Sequence, residues 1–225
     1  MSKTTNFQRY EKPRIWDIDT KALQTQLVFL LLPKRLLKMF SKKASKTEKK
    51  LIPTSTQPSP LIYFAYGSNL LKERLARSVE ASRQGIGKIK DYRLDFGYFS
   101  KRWNGSVATI VPDPGREVWV AIWHVCGFEK LDEQEGVQQN VYERFVVDVE
   151  RLDGGVVTGY TYMLTRNPEE YVPLDALPKN RQPSKAYLDV ILSGAKQSEL
   201  PEYYQEKLRE ISHNNYDGQV RYDLV

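Results

Sequence analysis

The sequence predicts an α+β domain whose strands curl into a mixed β-barrel with flanking helices, preceded by a disordered basic tail. Three observations carry that prediction. Apolar or alternating strand-like runs recur through residues 61–164, separated by turns rich in Gly, Pro and Asp. Helical periodicity is confined to a short segment after the first strand and to two segments after Ser184. The composition also changes in kind before Leu61. The 225 residues therefore divide into an extension and linker (1–60), a folded body (61–220) and a C-terminal tail (221–225).

Within the body, Leu61–Tyr66 (LIYFAY) reads as a buried strand that ends in the turn Gly67-Ser68-Asn69. Leu71 and Leu75 lie one helical turn apart, which predicts a helix over 70–75. Strands are expected within Arg83–Phe96 and over Val107–Val111, the latter stopped by Pro112-Asp113-Pro114-Gly115. Val118–Trp123 (VWVAIW) is continuously apolar, as a strand covered on both faces would be. Residues 144–149 alternate with a period of two, and Asp153-Gly154-Gly155 turns the chain into a second alternating run at Tyr160, Tyr162 and Leu164. Prolines over Arg166–Pro183 predict a long loop. Ser184 is placed to cap a helix burying Tyr187, Leu188, Ile191 and Leu192. Pro201 opens a last helix with Tyr204, Leu208 and Ile211 on one face.

The formal charge of +6 invites a nucleic-acid reading, but its distribution argues against one. Residues 1–60 hold 13 Lys/Arg and 4 Asp/Glu, while the body and its tail hold 21 and 24. The basicity belongs to the extension, so the body offers no phosphate-binding excess and no nucleic-acid partner is expected. Residues 27–40 (LVFLLLPKRLLKMF) form a basic apolar patch with the chemistry of a membrane surface or organelle-import segment. The uncharged stretch from Ala22 to Pro33 is only 12 residues, too short to span a bilayer. Acidic Glu11, Asp17 and Asp19 precede it, which is unlike a signal peptide. The extension is therefore read as a tail rather than an anchor, and initiation at Met39 would remove the patch. One cysteine, Cys126, and two histidines, His124 and His213, leave no disulfide framework and little for a metal. A reduced, cytoplasmic, metal-free protein is expected.

Nucleophile constellations are missing. There is no Gly-x-Ser-x-Gly elbow and no phosphate-binding Gly-x-x-x-x-Gly-Lys run. Cys126, in an apolar run, reads as structural. Two local features remain. Tyr66-Gly67-Ser68-Asn69 joins a strand to a helix, where backbone N–H groups can hold a carboxylate or oxyanion. An ordinary turn capped by Ser68 or Asn69 explains the same residues. Asp132-Glu133-Gln134-Glu135-Gly136 crowds three carboxylates, and burial of one would raise its pKa into the range of a general base. A capping box between Asp132 and Glu135 is the competing explanation.

Read in order, these segments closely resemble the γ-glutamylcyclotransferase family. The resemblance runs through Leu61–Leu70 (LIYFAYGSNL), Leu94–Gly97 (LDFG), Trp103, Ala108–Ile110 and Glu117–Trp119. It continues through Leu131–Val137 (LDEQEGV), Gly194-Ala195-Lys196, Leu200-Pro201 and Tyr204–Leu208, covering the body and none of the tail. It implies a mixed barrel enzyme, often a homodimer and without a cofactor, that converts γ-glutamyl-amino acids to 5-oxoproline and a free amino acid. By the same resemblance Glu135 is the general base. Tyr63, Phe64, Ala65, Tyr66, Gly67 and Ser68 form the loop that binds the γ-glutamyl part, and Tyr187 lines the pocket. Two departures stand out: Trp103-Asn104-Gly105-Ser106 replaces a Trp-x-Gly-Gly pattern, and the loop over 166–183 is longer. A glutathione-specific relative, which typically has Tyr-Gly-Ser-Leu, is the nearest rival. A γ-glutamylamine-specific relative would carry Thr at the Ser68 position, and a non-catalytic binding module on the same fold is the alternative of another class.

Overall fold

The computed structural model describes residues 60–220. The extension, with its basic patch at 27–40 and Met39, and the C-terminal tail 221–225 lie outside the described residues.

Five strands close into one barrel in the order β1-β3-β2-β4-β5. Strand β1 (Leu61–Ala65) is followed by a 3₁₀ turn over Ser68–Leu70 and a short helix α1 (Lys72–Leu75). Strands β2 (Ala81–Ser100) and β3 (Gly105–Val125) form a long antiparallel hairpin. Helix α2 (Glu129–Gln134) and a 3₁₀ turn at Val137–Gln139 lead into β4 (Tyr142–Arg151) and β5 (Val156–Leu164). Helices α3 (Lys185–Gln197) and α4 (Glu202–Arg209) complete the body. Every strand pairing is antiparallel except β1 with β5, which meet in parallel at Tyr63 and Tyr160 and close the barrel. At that seam Gly159 lies so near β1 that a Cβ would stand 2.8–2.9 Å from Ile62, so only glycine permits the approach.

The expected break at Pro112–Gly115 is a bulge rather than an end. Lys90 pairs with Glu117 and Tyr92 with Pro112, so Asp91 alone faces residues 113–116. Asp91 takes a left-handed backbone (φ 62°) and its carboxylate accepts from Gly115 N–H at 2.8 Å. Further register shifts at Gln84 and Tyr98 add coiling, which lets two strands of this length wrap a small barrel. Cys126, expected in the apolar run, is exposed just past β3. Ser184 does cap α3, its Oγ accepting from Tyr187 N–H at 3.1 Å.

The long segment between β5 and α3 is held rather than loose. It carries 3₁₀ turns at Leu174–Ala176 and Lys179–Arg181. Arg181 from this segment and Arg93 from β2 both pair with the buried carboxylate of Asp95. Arg181 also donates to the carbonyls of Phe96 (3.2 Å) and Glu170 (3.0 Å). Removing one partner of such a cluster leaves guanidinium charge buried without its counter-ion, at a cost of about 3–5 kcal/mol. Asp95→Ala is therefore expected to lower unfolding free energy by about 3 kcal/mol in urea titration. Glu202→Ala, which breaks the exposed pair with Arg209, should cost about 0.5 kcal/mol or less.

Candidate active site

The loop after β1 and the end of α2 meet over one end of the barrel. Helix α2 stops because Gly136 adopts a left-handed conformation (φ 65°, ψ 38°), a common way to end a helix. Glu135, the residue before it, is thereby turned inward. Asp132 lies inside α2, not at its start, and accepts from Tyr162 Oη at 2.7 Å while pairing with Arg144 at 3.2 Å. The capping-box explanation of this run therefore fails.

Two carboxamides hold the Glu135 carboxylate. Asn69 Nδ2 donates to Oε1 at 3.1 Å and Gln134 Nε2 donates to the same oxygen at 2.8 Å. Asn69 Nδ2 also reaches Tyr63 Oη at 3.0 Å, and Gln134 Nε2 reaches Asn69 Oδ1 at 3.1 Å. Gln134 Oε1 in turn accepts from Arg74 Nη1 at 2.6 Å and from Ser78 Oγ. Both of these donors converge on Oε1, and Glu135 lines both cavities of the site. Asn69 thus ties the two halves of the site together instead of capping a turn.

Burial raises the Glu135 pKa above the ordinary glutamate range, and Arg74, the two amides and Arg102 pull only partly against it. The phenols around it move the same way. Tyr63, Tyr66, Tyr142 and Tyr162 are all raised by desolvation, and Tyr187 is pushed up to about 12 by burial, opposed by the backbone N–H groups of Ala108 and Ser68.

Two cavities meet at Glu135. The inner one, about 30 Å³, is lined by tyrosines 63, 66, 142, 162 and 187 with Gly67, Ser68 and Asn69. The outer one, about 310 Å³, opens past Arg74, Arg102, Trp103 and Gln139. Ser68, Glu135, Tyr142 and Tyr187 line both. Of the residues named from sequence, Tyr63, Tyr66, Gly67, Ser68, Glu135 and Tyr187 come together here. Phe64 and Ala65 do not line either cavity; both are buried in β1, paired with Ile122 and Ala121. Gly67 has φ −106°, so its role is not the left-handed backbone but closeness: a Cβ would stand 3.3 Å from Tyr187 Oη.

Sequence reasoning did not assign Arg74, Gln134, Tyr142 or Tyr162 to the site, and it read Asn69 as a turn residue and not for its side-chain amide. Asn69 and Gln134 lay inside the two motifs already singled out, and their amides are the groups that connect those motifs. Tyr142 and Tyr162 carried only the alternation of paired strands, with nothing to mark which face is the pocket. The two departures from the family pattern also meet in space. Ser106, in place of a glycine, is buried and donates N–H to Gln182 O (3.0 Å) and Oγ to Asn180 O (2.9 Å), clasping the longer loop. Helix α3 presses on the site from behind, since a Cβ on Gly194 would stand 2.4 Å from Leu71 N.

These features define a small closed-barrel enzyme whose pocket carries one half-buried carboxylate amid neutral phenols. Residues 117–208 match the AIG2-like family. The γ-glutamylcyclotransferase of Mus musculus is 39% identical over 166 residues, 71% of this chain and 82% of that protein. That of Homo sapiens is 36% identical over 178 residues, covering 76% and 89%. A solved γ-glutamyl cyclotransferase structure aligns with a TM-score of 0.63 at 36% identity, over 72% of this chain and 94% of its own. The chain belongs to the γ-glutamylcyclotransferase family.

The raised pKa of Glu135 leaves a mark on stability. Because the folded pKa of Glu135 is raised, its contribution to stability is full below the unfolded value and is lost as pH rises through the folded one. The amide introduced by Glu135→Gln would keep an acceptor oxygen for Asn69 and Gln134 without that loss. This variant is expected to melt roughly 2–4 °C above wild type at pH 7.5, with the gap closing toward pH 4 in paired scanning calorimetry.

Proposed function

We propose that the enzyme converts γ-L-glutamyl-L-amino acids to 5-oxo-L-proline and the free amino acid, with Glu135 moving the protons. The observation that carries this reading is the Glu135 carboxylate at the junction of the two cavities, raised in pKa and gripped through one oxygen. The substrate supplies its own nucleophile. Its α-amine attacks its γ-carbonyl, a C–N bond forms in a five-membered lactam, and the amide bond to the departing amino acid breaks. The substrate ammonium gives up two protons on becoming the lactam N–H, and the departing nitrogen gains two. No water is consumed, and a single carboxylate can accept and return each proton in turn.

The surroundings favour that sequence. Folding the substrate so that amine and carbonyl touch removes most of the entropic barrier, an effect reaching about 10⁵ M or more in effective concentration. The γ-glutamyl half is assigned to the junction of the two cavities at Glu135, with only a polar end reaching into the small inner chamber. There Tyr63 and Tyr187 use their oxygens as acceptors, from Asn69 Nδ2 and Ala108 N–H, which leaves their O–H groups to donate to substrate. Backbone N–H groups of Gly67 and Asn69 are assigned to the substrate carboxylate or the oxyanion, that of Ser68 being turned to Tyr187 Oη. A pure binding module would gain nothing from a half-buried carboxylate of raised pKa beside its ligand. The same reading carries a cytoplasmic homodimer, which light scattering on purified protein and fractionation test separately.

The test is 5-oxoproline release from γ-glutamyl-alanine by the full-length chain, with glutathione in parallel. Release from γ-glutamyl-alanine, lost about 10³-fold or more in Glu135→Gln, is the expected result; release from glutathione alone would move the chain to the rival specificity. Near-wild-type turnover in a folded Glu135→Gln would remove Glu135 from the mechanism. Tyr187→Phe should cost about 10-fold through one lost hydrogen bond. The chemistry needs ionised Glu135, so kcat/KM should fall on the acid side with a midpoint above the ordinary glutamate value of about 4.3. Tyr187, pushed up to about 12, should contribute no alkaline fall below about pH 10.

A further inference from the structure

If the cyclising half of the substrate sits at the Glu135 junction with one end in the inner chamber, the departing amino acid extends through the outer chamber of about 310 Å³. That chamber does not end at a neutral wall. It shares Arg74, Arg102 and Gln134 with a neighbouring groove of about 350 Å³, whose other lining residues are Arg77, Ser78, Lys130 and Glu133. Four cations and one carboxylate line this groove. The two arginines common to both spaces are differently employed. Arg74 is buried, donates to Gln134, and lies 5.8 Å from the centroid of the Trp103 ring, so it belongs to the frame that positions Glu135. Arg102 is half-buried in the turn between β2 and β3, beside Trp103, where it faces both the departing group and the groove. It shares the lining of the outer chamber with Glu135, whose pKa its charge helps to hold down.

We propose that Arg102 reads the departing side of the substrate and gives the enzyme a preference for γ-glutamyl substrates whose departing amino acid carries an acidic side chain. The inference rests on the cyclotransferase reading. A neutral side chain of similar length reaches the same groove but meets guanidinium and ammonium groups without a charge to offer. A carboxylate there gains charge-assisted hydrogen bonds to Arg102, with Arg77 and Lys130 adding long-range attraction. The cations are partly solvated, so the gain is tens-fold at most rather than thousands-fold.

The discriminating pair is γ-glutamyl-glutamate against γ-glutamyl-glutamine, equal in size and different by one charge. With the full-length chain at low ionic strength, kcat/KM from 5-oxoproline release should favour the glutamate substrate by about 10-fold. Added salt should shrink that ratio. Arg102→Gln should bring it to about 1–2, with the loss falling on KM for the glutamate substrate, and Arg102→Lys should keep part of it because the charge remains. A wild-type ratio at or below one overturns the proposal, as does a ratio unchanged in Arg102→Gln. Absence of 5-oxoproline from both peptides and from γ-glutamyl-alanine would instead overturn the cyclotransferase reading beneath it.

Discussion

The structure depends on two amide side chains meeting one carboxylate oxygen. Asn69 arrives from the loop after β1 and Gln134 from the end of α2, segments separated by the whole β2–β3 hairpin in the chain. Their donors can converge on Glu135 Oε1 only if loop and helix stand at a fixed separation, because an N–H···O bond weakens steeply once it is stretched or bent. The barrel supplies that constraint. Strand β1 is locked between β3 and β5, and α3 packs so closely on the loop that only Gly194 fits beneath it. Arg74 and Ser78 then saturate the far side of Gln134, so the amide cannot rotate away without abandoning several partners at once.

The tyrosines answer a different requirement. A site proposed to take a zwitterionic γ-glutamyl group needs polar contacts, yet charged groups beyond Arg74 and Arg102 would pin Glu135 ionised or keep the substrate amine protonated. Phenols avoid both, since desolvation raises their pKa and they stay neutral wherever the enzyme would work. Most are also immobilised. Tyr66 donates to Tyr162 O at 2.8 Å and Tyr142 to Ala108 O at 2.6 Å. Rigid neutral dipoles of this kind stabilise developing charge without having to reorganise as it appears.

Much of this was legible in the sequence, because the order of apolar runs and turns specified the barrel strands and the strand–loop–helix entrance. The legible parts are those in which one segment determines its own shape, such as the Ser184 cap of α3 or the Asp153–Gly155 turn. What escaped is what two distant segments make together. Pro112–Gly115 looks like a strand end, and only its pairing opposite Asp91 turns it into a bulge inside a longer strand. Phe64 and Ala65 sat inside a binding motif, but the pairing of β1 with β3 committed them to the core. In the sequence Asn69 reads as a capping residue and Gln134 as a helical one, though in the structure Asn69 caps nothing. Their shared hold on Glu135 follows from tertiary distance alone.

The same geometry explains why one carboxylate suffices where other acyl-transfer sites need a relay. Among the described residues lining the inner cavity, Glu135 is the single carboxylate, and the groups that touch it are amides, which cannot take its proton at any working pH. A histidine in place of Asn69 would share the titration and blur which group holds the proton as the lactam closes. In the proposed reaction, with amides holding Oε1, Oε2 is the oxygen assigned to the proton traffic, and the substrate nitrogens are assigned to its side. Both the attacking and the departing nitrogen bond to the same carbonyl carbon in the tetrahedral intermediate, so they stand within reach of that one oxygen. The acid and the base of the reaction can therefore be one atom, provided the carboxylate does not turn, and holding it still is what Asn69 and Gln134 do.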